Sequence, residues 1–216
     1  MRVRIPLWLA WTAATILVEC CAAFVALMTL AVTPLRVALV AAIEGLALGA
    51  VQFAILRRPL PTISTAWVGA TFGGILVARL CEYFADTSYS AIIAPATLAG
   101  TIALGVVLGA AIGAAVAVPQ WLILRAHVAR AMRWVGAGAL AWACALPMML
   151  LGLQGVASLL GPWSLTTLFA DVALGMLVVG LIQGLALRGL LKTAHRSSPL
   201  PAADHVRAQR LPFGAP

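Results

Sequence analysis

Six apolar runs constrain this chain more than any other feature, because each is long enough to cross a lipid bilayer as a helix. Such a helix needs about 20 predominantly apolar residues, and six stretches of the 216-residue sequence meet that length. The predicted spans cover residues 7–31, 36–56, 63–84, 100–124, 131–154 and 165–191. The sequence therefore predicts an all-α fold, a polytopic transmembrane helical bundle of six spans.

Two further stretches fall outside these spans. Residues 91–99 include Pro95 and are predicted to form an interfacial or re-entrant lead-in to the fourth span. Residues 192–216 are basic, rich in Pro and Ala and without hydrophobic periodicity, so we predict a disordered cytoplasmic tail. The predicted organisation is a transmembrane domain, 1–191, followed by this tail.

The composition supports a lipid environment. Hydrophobic residues make up 63% of the chain and charged residues 9%, whereas soluble domains have about 45–50% apolar and about 25% charged residues. So little polar surface cannot cover a globule in water. The net charge of +8 does not indicate nucleic-acid binding, because the basic residues lie at the ends of apolar runs. They fit topology signals and contacts with anionic lipid headgroups.

The distribution of basic residues predicts the orientation. With six spans, both termini and the second and fourth connections share one side of the membrane. The basic residues on that side are Arg2, Arg4, Arg57, Arg58, Arg125, Arg130, Arg133, Arg188, Lys192, Arg196, Arg207 and Arg210. The other side holds Arg36. The positive-inside rule then predicts that both termini are cytoplasmic. The absence of Asn and the single Lys suggest a GC-rich genome, and hence a bacterial inner membrane.

A short motif, Gln-x-x-x-Leu-Arg, ends the second, fourth and sixth runs. Its copies are Gln52–Arg57, Gln120–Arg125 and Gln183–Arg188. A Trp-Val-Gly-Ala motif then begins the next helix at Trp67 and at Trp134, and Trp8-Leu9-Ala10-Trp11 is a degenerate version in the first span. The internal repeat predicts three tandem helix pairs in the same orientation.

The residues of the repeat have structural roles that are common in membrane bundles. Small residues at a spacing of four let helix backbones approach closely, as in a glycine zipper. The predicted packing face comprises Gly45, Gly49, Gly69, Gly73, Gly105, Gly109 and Gly113. Side-chain amides can bond between helices, as we expect of Gln52, Gln120 and Gln183. Residues with long basic or aromatic side chains anchor helix ends at the interface. The predicted cytoplasmic anchors are Arg57, Arg125, Arg188, Trp67 and Trp134.

Five ionisable residues fall within the predicted spans. They are Glu19, Glu44, Arg79, Glu82 and Asp171. A charge at the bilayer centre costs about 2.5–3.5 kcal/mol by insertion scales, so such residues should face the interior and pair. Arg79 can pair with Glu82 on its own helix, or with Glu44 or Asp171 on another, whereas Glu19 has no obvious basic partner. A polar cavity for a small solute and a structural ion-pair network are both consistent with this pattern.

The sequence lacks the residues that haem centres, metal centres and several common enzyme active sites require. The three histidines, His127, His195 and His205, lie in a predicted cytoplasmic turn or in the tail, so no haem or metal centre is expected within the bundle. No Gly-x-Ser-x-Gly motif or phosphate-binding loop is present. We therefore expect a protein without enzymatic activity or cofactor.

The segment from Gln120 to Ala137 resembles a pattern found in uncharacterised bacterial multi-pass membrane proteins, in which Gln-Trp-Leu-x-Leu-Arg precedes a Trp-containing helix start. The other copies depart from it, with Phe53 and Gly184 in place of the Trp. The resemblance implies a membrane protein with repeats and no known activity.

Two functions remain open from the sequence. In the first, the protein translocates or senses a small polar or ionic solute through a charged cavity in the outer half of the bundle. In the second, it is a structural or assembly subunit that packs against another membrane protein through its glycine-rich helix faces. A six-span chain with short loops has little room for a translocation path of its own. We therefore expect a homo-oligomer, or another membrane protein as partner, for either function.

Overall fold

The computed structural model describes residues 5–29, 33–89, 97–159 and 165–197. They form six helices and no strand: α1 Leu7–Thr29, α2 Pro34–Leu56, α3 Ala66–Tyr89, α4 Leu98–Leu124, α5 Arg133–Leu159 and α6 Leu165–Ser197. The all-α fold with six helices is therefore confirmed for this part of the chain. Residues 91–96 of the predicted lead-in and residues 198–216 of the predicted tail lie outside the described residues.

Helix ends differ from the predicted spans where local signals act. Thr97 caps α4 by accepting a hydrogen bond of 3.2 Å from the backbone N–H of Gly100, so the helix begins at Leu98 and not at residue 100. Thr33 caps α2 in the same way, and Pro34 occupies the first turn, where its missing N–H costs nothing. α6 continues through Ser197, beyond the predicted end at Leu191 and into the predicted tail, and the first proline after Leu191 is Pro199.

The helices form a closed ring. Each backbone packs against its two neighbours in the chain, and α6 packs back against α1. No other pair of helix backbones comes close among the described residues. Successive helices alternate in direction, so α1, α3 and α5 begin at the end of the bundle where α2 and α4 finish. We call this the basic end, because Arg57 and Arg125 follow α2 and α4 there; the other is the distal end.

Glycines bring neighbouring helices close together. A Cβ on Gly45 would lie 2.7 Å from Cα of Phe72, and one on Gly105 would lie 2.8 Å from Cα of Pro147. Gly49, Gly109 and Gly113 are similarly confined against α3 or α5. By contrast, a Cβ on Gly69 or Gly73 would meet nothing within 4 Å. Thus five of the seven glycines assigned to a packing face lie at contacts inside the bundle, and two face open space.

The outer surface of the bundle is apolar. Leu35 is 71% exposed, Val107 67% and Leu17 66%, which is the reverse of what a water-exposed surface requires. Five helices, α1, α2, α4, α5 and α6, are long and apolar enough over their described residues to cross a membrane. α3, which carries Arg79 and Glu82, is not one of them, and it packs between α2 and α4. These features indicate a multi-pass membrane protein.

Candidate functional site

Four of the five ionisable residues predicted to line a site meet around one guanidinium. Arg79 on α3 donates from Nε to Oε2 of Glu44 and from Nη2 to Oε1 of Glu44, both at 3.0 Å. Its Nη1 donates to Oε2 of Glu82 at 2.9 Å, and its Nη2 also reaches Oε2 of Glu19 at 3.4 Å. We call these four residues the charged cluster. A two-pronged contact between guanidinium and carboxylate is the geometry that holds Arg most firmly.

The charged cluster extends from the interior of the ring toward its surface. Glu19 and Glu44 are 4% and 3% exposed, whereas the side chains of Arg79 and Glu82 are 31% and 30% exposed. Three carboxyl groups therefore surround a single guanidinium, which gives a formal charge of −2 when all are ionised. Taking carboxylates out of water is costly unless they are paired, so this excess of negative charge is the unusual feature of the cluster.

Glu19, which has no obvious partner in the sequence, is brought to Arg79 by the ring. α1 and α3 are both neighbours of α2. Their inward-facing side chains can therefore meet across the face of α2 that carries Glu44. The long Arg79 side chain spans the remaining gap. Sequence spacing alone does not give the order of helices around a ring, and so could not identify this contact.

Asp171 on α6 lies apart from the charged cluster. The predicted alternative pair between Arg79 and Asp171 does not form. Oδ2 of Asp171 has no hydrogen-bond partner among the described residues. Its carboxylate packs so closely on Gly152 of α5 that a Cβ there would overlap it. This residue is therefore not part of the cavity described below.

A cavity runs along the axis of the ring from the charged cluster toward the basic end. It has a volume of about 30 Å³, which is room for roughly two water molecules. All six helices line it, with Thr15, Glu19, Glu44, Leu48, Gln52, Ile75, Ala78, Arg79, Glu82, Ile112, Val116, Gln120, Trp142, Val179 and Gln183. Its middle is mostly apolar, and its polar groups lie toward its two ends.

Three indole rings meet on the axis near the basic end. Trp11, Trp67 and Trp134 are each 0% exposed. Their ring centroids are 6.3 Å apart for Trp11 and Trp67, 5.5 Å for Trp11 and Trp134, and 6.2 Å for Trp67 and Trp134. These are the separations of mutually packed aromatic rings. The prediction that Trp67 and Trp134 anchor the membrane interface is wrong, because both rings fill the interior where α1, α3 and α5 begin.

Two of these indoles, Trp11 and Trp134, bond to glutamines of the repeat, and we call the three tryptophans with Gln52, Gln120 and Gln183 the collar. Trp134 Nε1 donates to Oε1 of Gln120 at 2.9 Å, and Trp11 Nε1 donates to Oε1 of Gln183 at 3.4 Å. Gln120 Nε2 donates to the hydroxyl of Thr71 at 2.9 Å and to Oε1 of Gln52 at 3.3 Å. Trp67 Nε1, in contrast, has no hydrogen-bond partner among the described residues.

A layer of leucines completes the closure at the basic end. Leu56, Leu124 and Leu187 each follow a collar glutamine by four residues, and each is 0% exposed. They pack in one cluster with the three tryptophans. The leucine of the repeated Gln-x-x-x-Leu-Arg motif was the sequence signal for this layer. The third indole belongs to Trp11, the last residue of the degenerate Trp8-Leu9-Ala10-Trp11 motif in the first turns of α1.

The arginines of the repeat lie on the surface. Arg57 stacks over the ring of Phe53, with 5.6 Å between the guanidinium carbon and the ring centroid, and Arg125 stacks over Trp121 at 5.3 Å. Arg188 is also exposed. Phe53 and Trp121 each come directly after a collar glutamine, so the same motif directs one side chain inward and its neighbour outward.

No protein-family model, no curated protein and no solved structure matches this chain. Among the described residues, no group of three His, Cys, Asp or Glu side chains is placed to hold a metal ion. The function must therefore be inferred from the cavity itself.

Proposed function

We propose that this chain is a non-enzymatic integral membrane protein that takes up a small polar or ionic species in its axial cavity, in order to translocate or sense it. One observation carries the proposal: three carboxyl groups meet one guanidinium at the end of an interior cavity. A purely structural ion pair would need one carboxylate for each guanidinium. The two additional carboxyl groups favour a proton or a cation over an anion.

The cavity limits the size of this species. A volume of about 30 Å³ excludes organic solutes and fits water, a proton carried by water or a monovalent cation. The partial exposure of Arg79 and Glu82 favours access from the distal end, whereas the collar and the leucine layer obstruct the basic end. Translocation would require the collar to part, and sensing would not.

The orientation and the repeat form part of the proposal. Arg57, Arg125 and Arg188 support a cytoplasmic basic end, with the distal end and its charged cluster in the outer half of the membrane. Equivalent contacts support tandem helix pairs. Gly45 and Gly113, each seven residues before a collar glutamine, approach Cα of Phe72 and of Ala139, which each lie five residues after a collar tryptophan.

The alternative is a structural or assembly subunit, and one observation favours it. Gly69 and Gly73, one turn apart on α3, face open space, so another helix could pack closely there. Native mass spectrometry in a mild detergent distinguishes the two readings. A homo-oligomer or monomer that contains no other protein supports a self-sufficient transporter or sensor, whereas a stoichiometric second protein supports the assembly role.

Thermal unfolding in detergent tests uptake directly. The melting temperature of the wild-type protein should depend on pH or on the Na⁺ or K⁺ concentration, and Glu19→Gln should abolish this dependence. Glu19 is suited to the test because its bond to Arg79, at 3.4 Å, is the longest of the four in the cluster, so the fold should tolerate its loss best. Asp171→Asn, outside the cluster, is the matched control and should retain the dependence. An unchanged response in Glu19→Gln would refute the proposal.

A further inference from the structure

The two ends of the axial cavity differ in hydrogen-bonding character. Glu19 and Glu44 present carboxyl oxygens at one end, and Gln52 and Gln183 present amide groups at the other. Glu44 precedes Gln52 on α2 by eight residues, which is about 12 Å of helix. Arg79 also borders the carboxyl end, but its Nε, Nη1 and Nη2 already donate to carboxyl groups. The lining therefore offers acceptors at one end and amide donors at the other, over a distance that one small atom cannot bridge.

The amide nitrogens of Gln52 and Gln183 have no partner in the described part of the chain. The carbonyl oxygen of each accepts a bond from the collar, but neither Nε2 donates to any described group. Gln52 is 2% exposed and Gln183 6% exposed, and both border the cavity. Neither Nε2 is among the fully enclosed polar atoms that lack a partner, so each can be reached from the cavity, where a ligand with a hydrogen-bond acceptor would pair it.

The chemistry of the two ends restricts that ligand. An anion could accept from the amides but would be repelled by the carboxyl groups. A metal or ammonium cation would suit the carboxyl groups but cannot accept a hydrogen bond from an amide. Water can accept from the amides and donate to the carboxyl oxygens. Thr15 gives a third contact point, because its hydroxyl donates to the carbonyl of Trp11 at 3.0 Å and can accept in turn.

We propose that the cavity binds a file of roughly two ordered water molecules that, together with the Thr15 hydroxyl, links the amides of Gln52 and Gln183 to the carboxyl groups of Glu19 and Glu44. The volume of about 30 Å³ matches this number. The apolar walls formed by Ile75, Ile112 and other residues separate these waters from the rest of the bundle.

The functional meaning of the water file rests on the proposed function. The file makes that function more specific, because it identifies the species that the cavity takes up as the proton. A proton bound by Glu19 can pass to the adjacent water, which gives one of its own protons to the next. Each step breaks one O–H bond and forms another, and because no group at the collar accepts a proton, the proton returns along the waters to a carboxylate of the charged cluster. The relay stops at the collar, where the tryptophans and leucines carry no titratable group. In this conformation a proton is loaded from the distal end but not passed on.

A high-resolution experimental structure of the full chain in lipid nanodiscs tests the file. Solvent peaks within about 3.2 Å of Nε2 of Gln52 and of Gln183 are expected. A cavity without density would overturn the proposal, as would one peak with oxygen ligands at about 2.0–2.6 Å, the distances of a bound metal ion.

Infrared difference spectroscopy supplies a second test that does not depend on map quality. The O–H stretch of enclosed water, identified by its shift in H₂¹⁸O, should be present in the wild type and lost in Gln52→Leu and Gln183→Leu. Thr101→Val is the control, because Thr101 is 4% exposed, its hydroxyl has no partner among the residues that the structure describes, and it does not line the cavity. An unchanged band in folded Gln183→Leu would refute the file.

The two proposals fail separately. Suppose that the water file is present but the melting temperature depends on pH or on cation concentration equally in the wild type and in Glu19→Gln. This inference would then stand, and the proposed function would be refuted. If the dependence on pH or on cation concentration requires Glu19 but the infrared band of enclosed water is absent, the proposed function would stand and the water file would be refuted.

Discussion

Arg79 and Glu44 join α3 to α2 through two N–H···O hydrogen bonds of equal length, 3.0 Å each. Glu44 is 3% exposed, so its side of this pair is shielded from bulk water. The contact with Glu82 is different, because it lies within one helix and both side chains are about 30% exposed. The same guanidinium therefore takes part in a buried pair and in a partly solvated one, and the two should differ in their contribution to stability.

Glu44→Gln and Glu82→Gln measure this difference. Removing one partner of a buried pair leaves the other charge uncompensated and costs about 3–5 kcal/mol, whereas an exposed pair contributes about 0–1 kcal/mol. We expect Glu44→Gln to lower the melting temperature in detergent much more than Glu82→Gln. Equal losses for the two variants would show that burial does not distinguish the pairs.

The sequence predicted the helices and two of the Arg79 contacts for identifiable reasons. The apolar runs located the helices, and the three-residue spacing of Arg79 and Glu82 placed them on one face. The contact with Glu19 depends on helix order around the ring, which a single sequence does not specify. The burial of Trp67 was missed because an amphipathic ring at a helix start is usually interfacial, and only the convergence of three such starts makes it interior.

The collar predicts unequal effects of removing an indole N–H. Trp134→Phe leaves Oε1 of Gln120 without its 2.9 Å bond, whereas Trp67→Phe removes a donor that has no partner. Both replacements lose similar packing volume, so the difference isolates the hydrogen bond. We expect Trp134→Phe to be less stable than Trp67→Phe by about 1–3 kcal/mol, measured by chemical unfolding in detergent. A larger loss for Trp67→Phe would mean that its N–H is bonded.

Two glycines on facing helices form another matched pair. A Cβ on Gly45 would meet Cα of Phe72 at 2.7 Å, so Gly45→Ala should force α2 and α3 apart at a cost of about 1–3 kcal/mol. Gly73→Ala meets nothing within 4 Å and should be neutral or stabilise by up to about 1 kcal/mol, because Ala favours helix. Thermal unfolding measures both. If Gly73→Ala instead lowers the apparent mass in native mass spectrometry, the open face of α3 is an interface between subunits.

The contact between α6 and α1 resembles the contact between α2 and α3, although no turn joins the first pair. A Cβ on Gly180, three residues before Gln183, would lie 2.8 Å from Cα of Thr12. A Cβ on Gly49, three residues before Gln52, would lie 3.0 Å from Cα of Val68. Thr12 and Val68 each come directly after a collar tryptophan. The two ends of the chain therefore form a helix pair of the same kind as the covalently linked one.

A circular permutant tests this equivalence. Fourteen residues, 53–66, separate Gln52 from Trp67. If Leu191 is joined directly to Ile5, fourteen residues also separate Gln183 from Trp11, namely the eight residues 184–191 and the six residues 5–10. With new ends between α1 and α2, this permutant should fold and keep a melting temperature close to that of an unpermuted chain of residues 5–191, because the join closes a contact that already exists. If the unpermuted chain folds and the permutant aggregates, α6 and α1 do not form a pair equivalent to α2 and α3. If both fold, the ring is built from three interchangeable helix pairs, and the charged cluster of Glu19, Glu44, Arg79 and Glu82 is a departure from the threefold pattern within the described residues.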